Sequence, residues 1–577
     1  MTMEIRPCAI IVGIALAVMP LIGPAQVAPA PSSTPSPPPI VAPDPADIAT
    51  AVAPPPPPMD DPMAQAIYAR IQRMTPLQAG PLPRQDAAIG KAVSDFYAQR
   101  HYAPAWADEN NVRQLLAGLA STDRDGLLPE DYHFSALKAA FGDPGWKDAP
   151  PAHRAELEIE ASAAYITALI QLARGKVDPM RLDPAWNFDP AMIDPQQGMS
   201  MLQTSIEERS VEQAFAMARP QHPLYAKLRD ALAGLREQAA KGGWPVVAEG
   251  PTLKPGMTDP RVASLRRRLV AGGYLDPTLA TGEHFDNPLA DATKRFQADQ
   301  YLHADGHVGT DTLAALNVPI AERIGQVRVN LERARWLLHA LQGTFVVVDV
   351  AGYKIRFYRD GQPVWTSRVQ VGKPYRSTPI FRSQITYVTF NPTWTIPPTI
   401  LKNDVLPKIR RNPGYLAANR IRVLDGAGNR LSPASVDWSN PRGITLRQDA
   451  GPGNSLGRVV IRFPNSFAVY LHDTPHQELF EQAKRDTSSG CIRVEHPLEL
   501  VQLLFNDPQK WSREAIDARI DGGKTQNVTL PTAVPVLLAY WTVDVDDDGK
   551  LAYKPDIYQR DGALLAALDR PQPLEAP

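Results

Sequence analysis

Cysteine is nearly absent: only Cys8 and Cys491 occur in 577 residues. Two thiols cannot build a disulfide framework, which excludes the small bridge-stapled scaffolds. If Cys8 leaves with an N-terminal leader, Cys491 has no partner and an intramolecular bridge is excluded for it. An unpaired thiol in an oxidising compartment is then kept for its chemistry, or as a small buried hydrophobe. Long apolar runs are also missing. Residues 9–22 are the most apolar stretch, short of the about 20 residues that cross a bilayer, and no later segment is longer. An excess of one charge is missing too: 60 Lys and Arg against 62 Asp and Glu leave a net −2. A nucleic-acid binder shows a strongly basic face, so nucleic acid is not expected as a partner.

Proline, by contrast, is abundant, with 59 residues. Residues 26–63 are mostly Pro and Ala. Proline fixes φ and lacks an N–H, so this stretch is expected to be an extended, disordered tether without a core. Ahead of it come Arg6, the apolar residues 9–22 and the small-residue end Gly23-Pro24-Ala25. That order reads as a signal peptide over 1–25, hence an exported, soluble protein with no transmembrane segment once the signal is removed.

The remainder reads as a multidomain α+β chain. Residues 64–250 carry helical periodicity and no paired catalytic groups, which predicts a mainly helical scaffold packed around aromatics. In residues 252–318, Val262, Leu265, Leu269 and Leu275 share an apolar face, with Arg266, Arg267 and Arg268 on the polar side of that helix. Ala292, Phe296 and Gln297 sit on a second helix, and Asp305-Gly306-His307-Val308-Gly309 turns into a third. These elements resemble the three-helix peptidoglycan-binding module of cell-wall enzymes. Residues 319–342 read as an amphipathic connecting helix. Period-two patterning over 343–530 predicts a β-rich sheet or sandwich. About 398–457 interrupts it with a helical start and then turns, which suits a lid-like insertion. Residues 531–577 are expected to pack as a C-terminal segment on the scaffold or on the β-rich domain. There, Asp544 to Gly549 matches the opening of a calcium loop, but Pro555 stands where the closing Glu belongs. A hairpin turn is preferred, with no metal or cofactor expected.

The chemistry centres on Cys491. A cysteine nucleophile needs a base, and His472 follows a strand-like run nineteen positions earlier. Ser488-Ser489-Gly490 brings Cys491 in on a small-residue turn, so the N–H groups of Gly490 and Cys491 are candidate oxyanion donors. Strand alternation puts Tyr470 on the face of His472, where its hydroxyl would be a third donor. Asp473 could orient His472, but neighbouring side chains on an extended chain point to opposite faces. A backbone carbonyl is an equal candidate for that role.

Tyr470-Leu471-His472-Asp473-Thr474-Pro475 followed by Ser488-Ser489-Gly490-Cys491-Ile492-Arg493-Val494 resembles the catalytic signature of the L,D-transpeptidases, cysteine enzymes of bacterial cell-wall crosslinking. Val371-Gly372-Lys373-Pro374 with Thr378-Pro379 matches another stretch typical of that domain. Many members carry a second histidine before the glycine. Ser489 stands there instead, as in the large, scaffold-bearing branch, and is left as a supporting candidate. The resemblance implies a thioester on Cys491, formed on a peptidoglycan tetrapeptide stem with loss of the terminal D-alanine. An amine of a neighbouring stem then resolves it to a 3→3 crosslink, with His472 as base and acid. It further implies a periplasmic, wall-associated enzyme acylated by carbapenems. Arg493, Trp394 and Ser488 are candidate substrate contacts; packing is an equal reading for Arg493 and a slightly favoured one for Trp394. With water as acceptor the same site is an L,D-carboxypeptidase; with an envelope-protein amine it anchors protein. A different class, a non-catalytic peptidoglycan-binding protein, is opposed by the intact His472 and Cys491.

Overall fold

The structure, a computed structural model, describes residues 60–78, 84–184, 186–188, 194–546 and 548–571. The signal-peptide reading at 1–25, and the tether up to residue 59, lie outside the described residues.

Helices from Pro62–Gln78 to Pro223–Ala240 form the N-terminal scaffold. Pro151–Arg174 runs through its middle, buried at Ala155, Ala161, Ala163, Ala164 and Ala168. Short side chains at these positions let neighbouring helices approach on several sides. Trp106 and Tyr165 pack edge to face in the resulting core, their ring centroids 5.5 Å apart.

In the module that follows, Arg261–Ala271 buries Val262, Leu265 and Leu269 as patterned. The amide of Gln297 holds the glycine turn, donating to the His307 carbonyl at 2.8 Å and accepting the Gly306 N–H at 2.8 Å. The expectation for the arginines needs correction. Only Arg267 is exposed; Arg266 and Arg268 are buried, Arg266 donating to Asp286 at 2.7 Å and to backbone carbonyls.

The connecting helix, Ile320–Leu337, is not amphipathic in its surroundings. From Val327 to Leu337 every residue is buried, the charged ones included. Scaffold, C-terminal segment and β-domain close around it, so its charges find partners inside: Arg333 with Asp561 at 2.6 Å, Arg335 with Glu332.

The β-domain strands are β1 Phe345–Asp349, β2 Lys354–Arg359, β3 Gln362–Gly372, β4 Phe381–Phe390, β5 Trp394–Thr395, β6 Ile421–Leu424, β7 Arg430–Leu431, β8 Thr445–Gln448, β9 Val459–Arg462, β10 Leu471–His472, β11 Asp486–Ser488, β12 Ile492–Val494 and β13 Gln526–Ala539. Nine of them form one sheet in the order β11-β3-β12-β10-β9-β4-β13-β1-β2. The first half of β3 pairs with β2 and its last residues with β12 and β11, so the sheet curls back on itself. It is one curled sheet, not a sandwich.

The boundary expected at residue 530 cuts through β13, which lies between β4 and β1. Pro531 and Pro535 disguise this strand in sequence. A register shift between Thr529 and Val534 accommodates Pro531, because a bulge tolerates a missing donor, while Pro535 stands in register opposite Gln384. Past β13 the C-terminal segment packs on both scaffold and β-domain. There β14 Val543–Val545 pairs with β15 Leu551–Tyr553 as the expected hairpin.

The insertion is more ordered than its turn-rich sequence suggested. β5, β8, β6 and β7 form a second sheet, covering a core of Val405, Leu406, Ile409, Leu416, Val423 and Leu446.

Candidate active site

Register assembles the site. Leu471 of β10 is opposite Ile492 of β12, and His472 opposite Arg493, in a parallel pair. One residue back, Ile492 N–H donates to the Tyr470 carbonyl at 3.1 Å, which sets Tyr470 beside Cys491. Side chains alternate, and opposed residues share a face. Leu471, Ile492 and Ile461 therefore point into the core, each fully buried. Tyr470, His472, Cys491 and Arg493 share the other face. On the far side of β10, His472 faces Val460 in the register with β9, which carries Arg462 to the position beside Tyr470.

Cys491 is half-buried. Burial pushes its thiol up, while hydrogen bonds from the Tyr470 backbone and hydroxyl, and the Arg493 and Arg462 charges, pull it down. The thiol donates weakly to the Ala468 carbonyl at 3.8 Å. No hydrogen bond joins it to His472 among the described residues. His472 stands opposite Arg493, two residues along β12 from Cys491, so the thiol and the imidazole are diagonal neighbours on one face of adjacent strands.

His472 is 4% exposed. Its Nδ1 donates to the Asp473 backbone carbonyl at 2.5 Å, so the carbonyl, not the carboxylate, orients the ring. The Asp473 carboxylate instead accepts the Arg458 N–H at 2.9 Å. Gly457 permits that approach, since a Cβ there would stand 2.5 Å from the Asp473 side chain. Burial first, then the charges of Arg493 and Arg462, push the imidazole down to about 3, against the pull of the Asp473 and Leu456 carbonyls. The ring is a neutral base throughout the physiological range.

Two sequence expectations fail here. The Gly490 N–H is committed to Ser488 Oγ at 3.1 Å, so it does not face an oxyanion. Gly490 is needed instead for its φ of +111°, a value L-residues rarely adopt. Ser488 is no substrate contact: it is 3% exposed, and its hydroxyl donates to the Cys491 carbonyl at 2.6 Å, tying the turn together. Ser489 points elsewhere, accepting from Arg376 Nη1 at 2.9 Å. Arg376 also binds Asp404 of the insertion at 2.5 Å. Trp394 on β5 is half-buried and hydrogen-bonds the Tyr470 side chain, so the insertion reaches the catalytic face.

Arg493 Nη1 donates to Gln370 Oε1 at 3.1 Å, while its buried Nε has no partner. Sequence reasoning missed Arg462, whose guanidinium lies 4.9 Å from the Tyr470 ring centroid; a charged residue closing an apolar strand beside the histidine strand was the available signal. It also missed Tyr558, which lies far beyond the signature that ends at Val494. Its hydroxyl donates to the Gly372 carbonyl at 2.7 Å and accepts the Thr378 N–H at 3.0 Å. Thr378 Oγ1 donates in turn to the Gly490 carbonyl at 2.9 Å. The C-terminal segment thus braces the cysteine turn. Among the described residues no cluster of His, Cys, Asp or Glu could hold a metal ion.

A thiol and a neutral imidazole on one sheet face are the groups that cysteine acyl transfer uses. Residues 343–506 match the L,D-transpeptidase catalytic domain, residues 258–316 the peptidoglycan binding domain and residues 91–232 the Scaffold domain. Residues 343–506 thus carry the likeness to the L,D-transpeptidase catalytic domain, and a curated relative supports it. A curated relative from Haemophilus influenzae, described as "Putative L,D-transpeptidase", is 33% identical over 276 residues, 46% of this chain and 55% of that one. The chain therefore spans about half the length of the curated relative it matches. Among solved structures, an L,D-transpeptidase from Mycobacterium smegmatis is 15% identical over 34% of this chain and 58% of its own, with a TM-score of 0.16. One from Xylanimonas cellulosilytica is 15% identical over 51% and 99%, with a TM-score of 0.17.

Proposed function

We propose that this protein is an exported, wall-associated L,D-transpeptidase that forms 3→3 peptidoglycan crosslinks through a thioester on Cys491. The observation that carries this reading is the shared face of Cys491, His472, Tyr470 and Arg493, with the imidazole held neutral by burial.

With Nδ1 committed to the Asp473 carbonyl, Nε2 of His472 takes the thiol proton as sulfur attacks the carbonyl carbon of the stem's L-centre. Negative charge gathers on the carbonyl oxygen, where the Tyr470 hydroxyl and the Cys491 N–H are the donors at hand. Arg493 and Arg462 stabilise that charge at longer range. The C–N bond to the terminal D-alanine breaks, and the imidazolium returns its proton to the leaving amine. An amine of a second stem then attacks the thioester, His472 takes its proton, and the thiol is restored. Arg493 Nε, unpartnered, suits a stem carboxylate. Trp394 lines the approach, and the link from Arg376 to Asp404 and Ser489 holds the insertion against the cysteine turn. The same thiol would open the strained ring of a carbapenem and retain it as an ester of sulfur.

The test is incubation of purified protein with disaccharide-tetrapeptide and product masses. A dimer lighter by D-alanine, absent with Cys491→Ala, supports crosslinking. Monomeric tripeptide alone makes water the acceptor and replaces this reading with a carboxypeptidase.

A further inference from the structure

Scaffold, peptidoglycan-binding module, connecting helix and C-terminal hairpin enclose a cavity of about 660 Å3. None of its lining residues belongs to the catalytic face. Arg268, from the module, is 3% exposed. Its Nε donates to the Leu316 carbonyl at 2.7 Å, but Nη1 has no hydrogen-bond partner. That nitrogen lies 3.0 Å from where a Cβ on Gly272 would stand, and Gly272 itself borders the cavity. Aromatic rings are the neighbours of this guanidinium, Trp244 at 4.2 Å and Phe296 at 5.7 Å. Arg323 enters from the connecting helix. It donates to the amide oxygens of Gln326 and Gln300 at 2.8 and 2.6 Å and lies 4.1 Å from the Tyr553 ring centroid.

Neither guanidinium forms an ion pair with a carboxylate among the described residues. Burial, first among the causes, holds Arg268 down at about 10, with the Arg323 charge adding to the depression, and holds Arg323 below its usual value. A buried cation without an anion is costly, which is the position of Arg268, and the half-buried Arg323 beside it adds a second positive charge to the cavity. The volume suits a small ligand, and aromatic walls suit the face of a sugar ring.

We propose that this cavity is a second binding site, remote from Cys491, for a carboxylate-bearing peptidoglycan fragment, with Arg268 and Arg323 taking the carboxylate. The proposal rests on residues 258–316 being a wall-binding domain. It adds that the pocket is composite, so the module alone would not hold it.

Calorimetric titration of the whole chain carrying Cys491→Ala tests it. The probes are the peptide-free disaccharide N-acetylglucosaminyl-N-acetylmuramic acid, its methyl ester, and the stem tetrapeptide alone. One of the two acids should bind, and Arg268→Gln and Arg323→Gln should each weaken it by about tenfold or more, the loss of one charged contact. Dependence of the disaccharide on Arg323, with the ester weakened alike, assigns the glycan as the source; dependence of the tetrapeptide assigns the stem. Donor turnover with Cys491 restored should stay within about twofold in both variants. If Arg268→Gln fails to fold, the half-buried Arg323→Gln decides. Absence of binding by either acid, or an affinity unchanged in Arg323→Gln, overturns the site. Retention on intact sacculi reports separately: retention without fragment binding sinks only the cavity, and no retention sinks the wall-binding reading beneath it.

Discussion

Arg335 in the connecting helix is fully buried and Arg493, on the face of Cys491, is half-buried, and their surroundings treat the two guanidiniums in opposite ways. Arg335 donates through Nε to Glu332 at 3.0 Å, and through Nη1 to the Asp125 carbonyl at 2.8 Å and the Tyr225 hydroxyl at 2.9 Å. Burial works against its charge, yet Tyr225 and Glu332 outweigh burial and hold it above the usual arginine value. Arg493 has Gln370 and an idle Nε, and burial leaves it below that value. The first arrangement is complete and can only be broken. The second is incomplete, and with a neutral imidazole and a raised thiol beside it, it can act on something brought in. An incompletely satisfied buried polar group is one that a bound partner can still engage.

The comparison is broken most severely by removing the nucleophile. Cys491→Ala should lower turnover by at least about 1,000-fold with thermal stability unchanged, read by product masses and by melting. His472→Gln should lower kcat by roughly 100- to 10,000-fold, the usual range for a lost general base. On the other side of the comparison, Glu332→Gln leaves Arg335 buried without its anion and should cost about 3–5 kcal/mol of stability in denaturant unfolding, with turnover per folded molecule unchanged.

Titration sharpens the contrast further. An imidazole pushed down to about 3 does not protonate between pH 8 and 5, so kcat/KM should show no loss near pH 6.5 and should rise toward alkaline pH as the thiol ionises. The same depression means that the unfolded chain binds a proton below about pH 6.5 that the folded chain refuses. Stability conferred by neutral His472 is therefore full above that pH and lost progressively as pH falls toward 3. His472→Gln should flatten that slope in unfolding experiments. The smallest expected effect is Tyr558→Phe, which removes the brace beneath Thr378 and should reduce kcat by an amount worth about 1 kcal/mol, with KM little changed.

Much of the site was legible because strand and turn chemistry is local. Period two set Tyr470 with His472, and the small residues before Cys491 announced a tight turn. The choice of a carbonyl over the Asp473 carboxylate as orienter followed from alternation, too, though only as one of two options. The Gly490 N–H misled because nothing in the sequence says that Ser488 Oγ reaches it. Arg266 and Arg268 were misread as solvent-facing because helical periodicity assigns charge outward unless a second body lies there. The connecting helix failed for the same reason on a larger scale. The boundary at residue 530 cuts β13, whose pairing with β4 and β1, and the register shift that admits Pro531, are set by its neighbours.

The sequence by itself determined the order of the segments, the strand face bearing the histidine and tyrosine, and the turn bearing the thiol, since propensity and periodicity act over a few residues. Tertiary structure alone decided which buried charges are satisfied. A hydrogen bond from Ser488, a paired Arg335 or a stranded Arg268 depends on what the rest of the chain packs against it, and burial makes each of those outcomes count in energy.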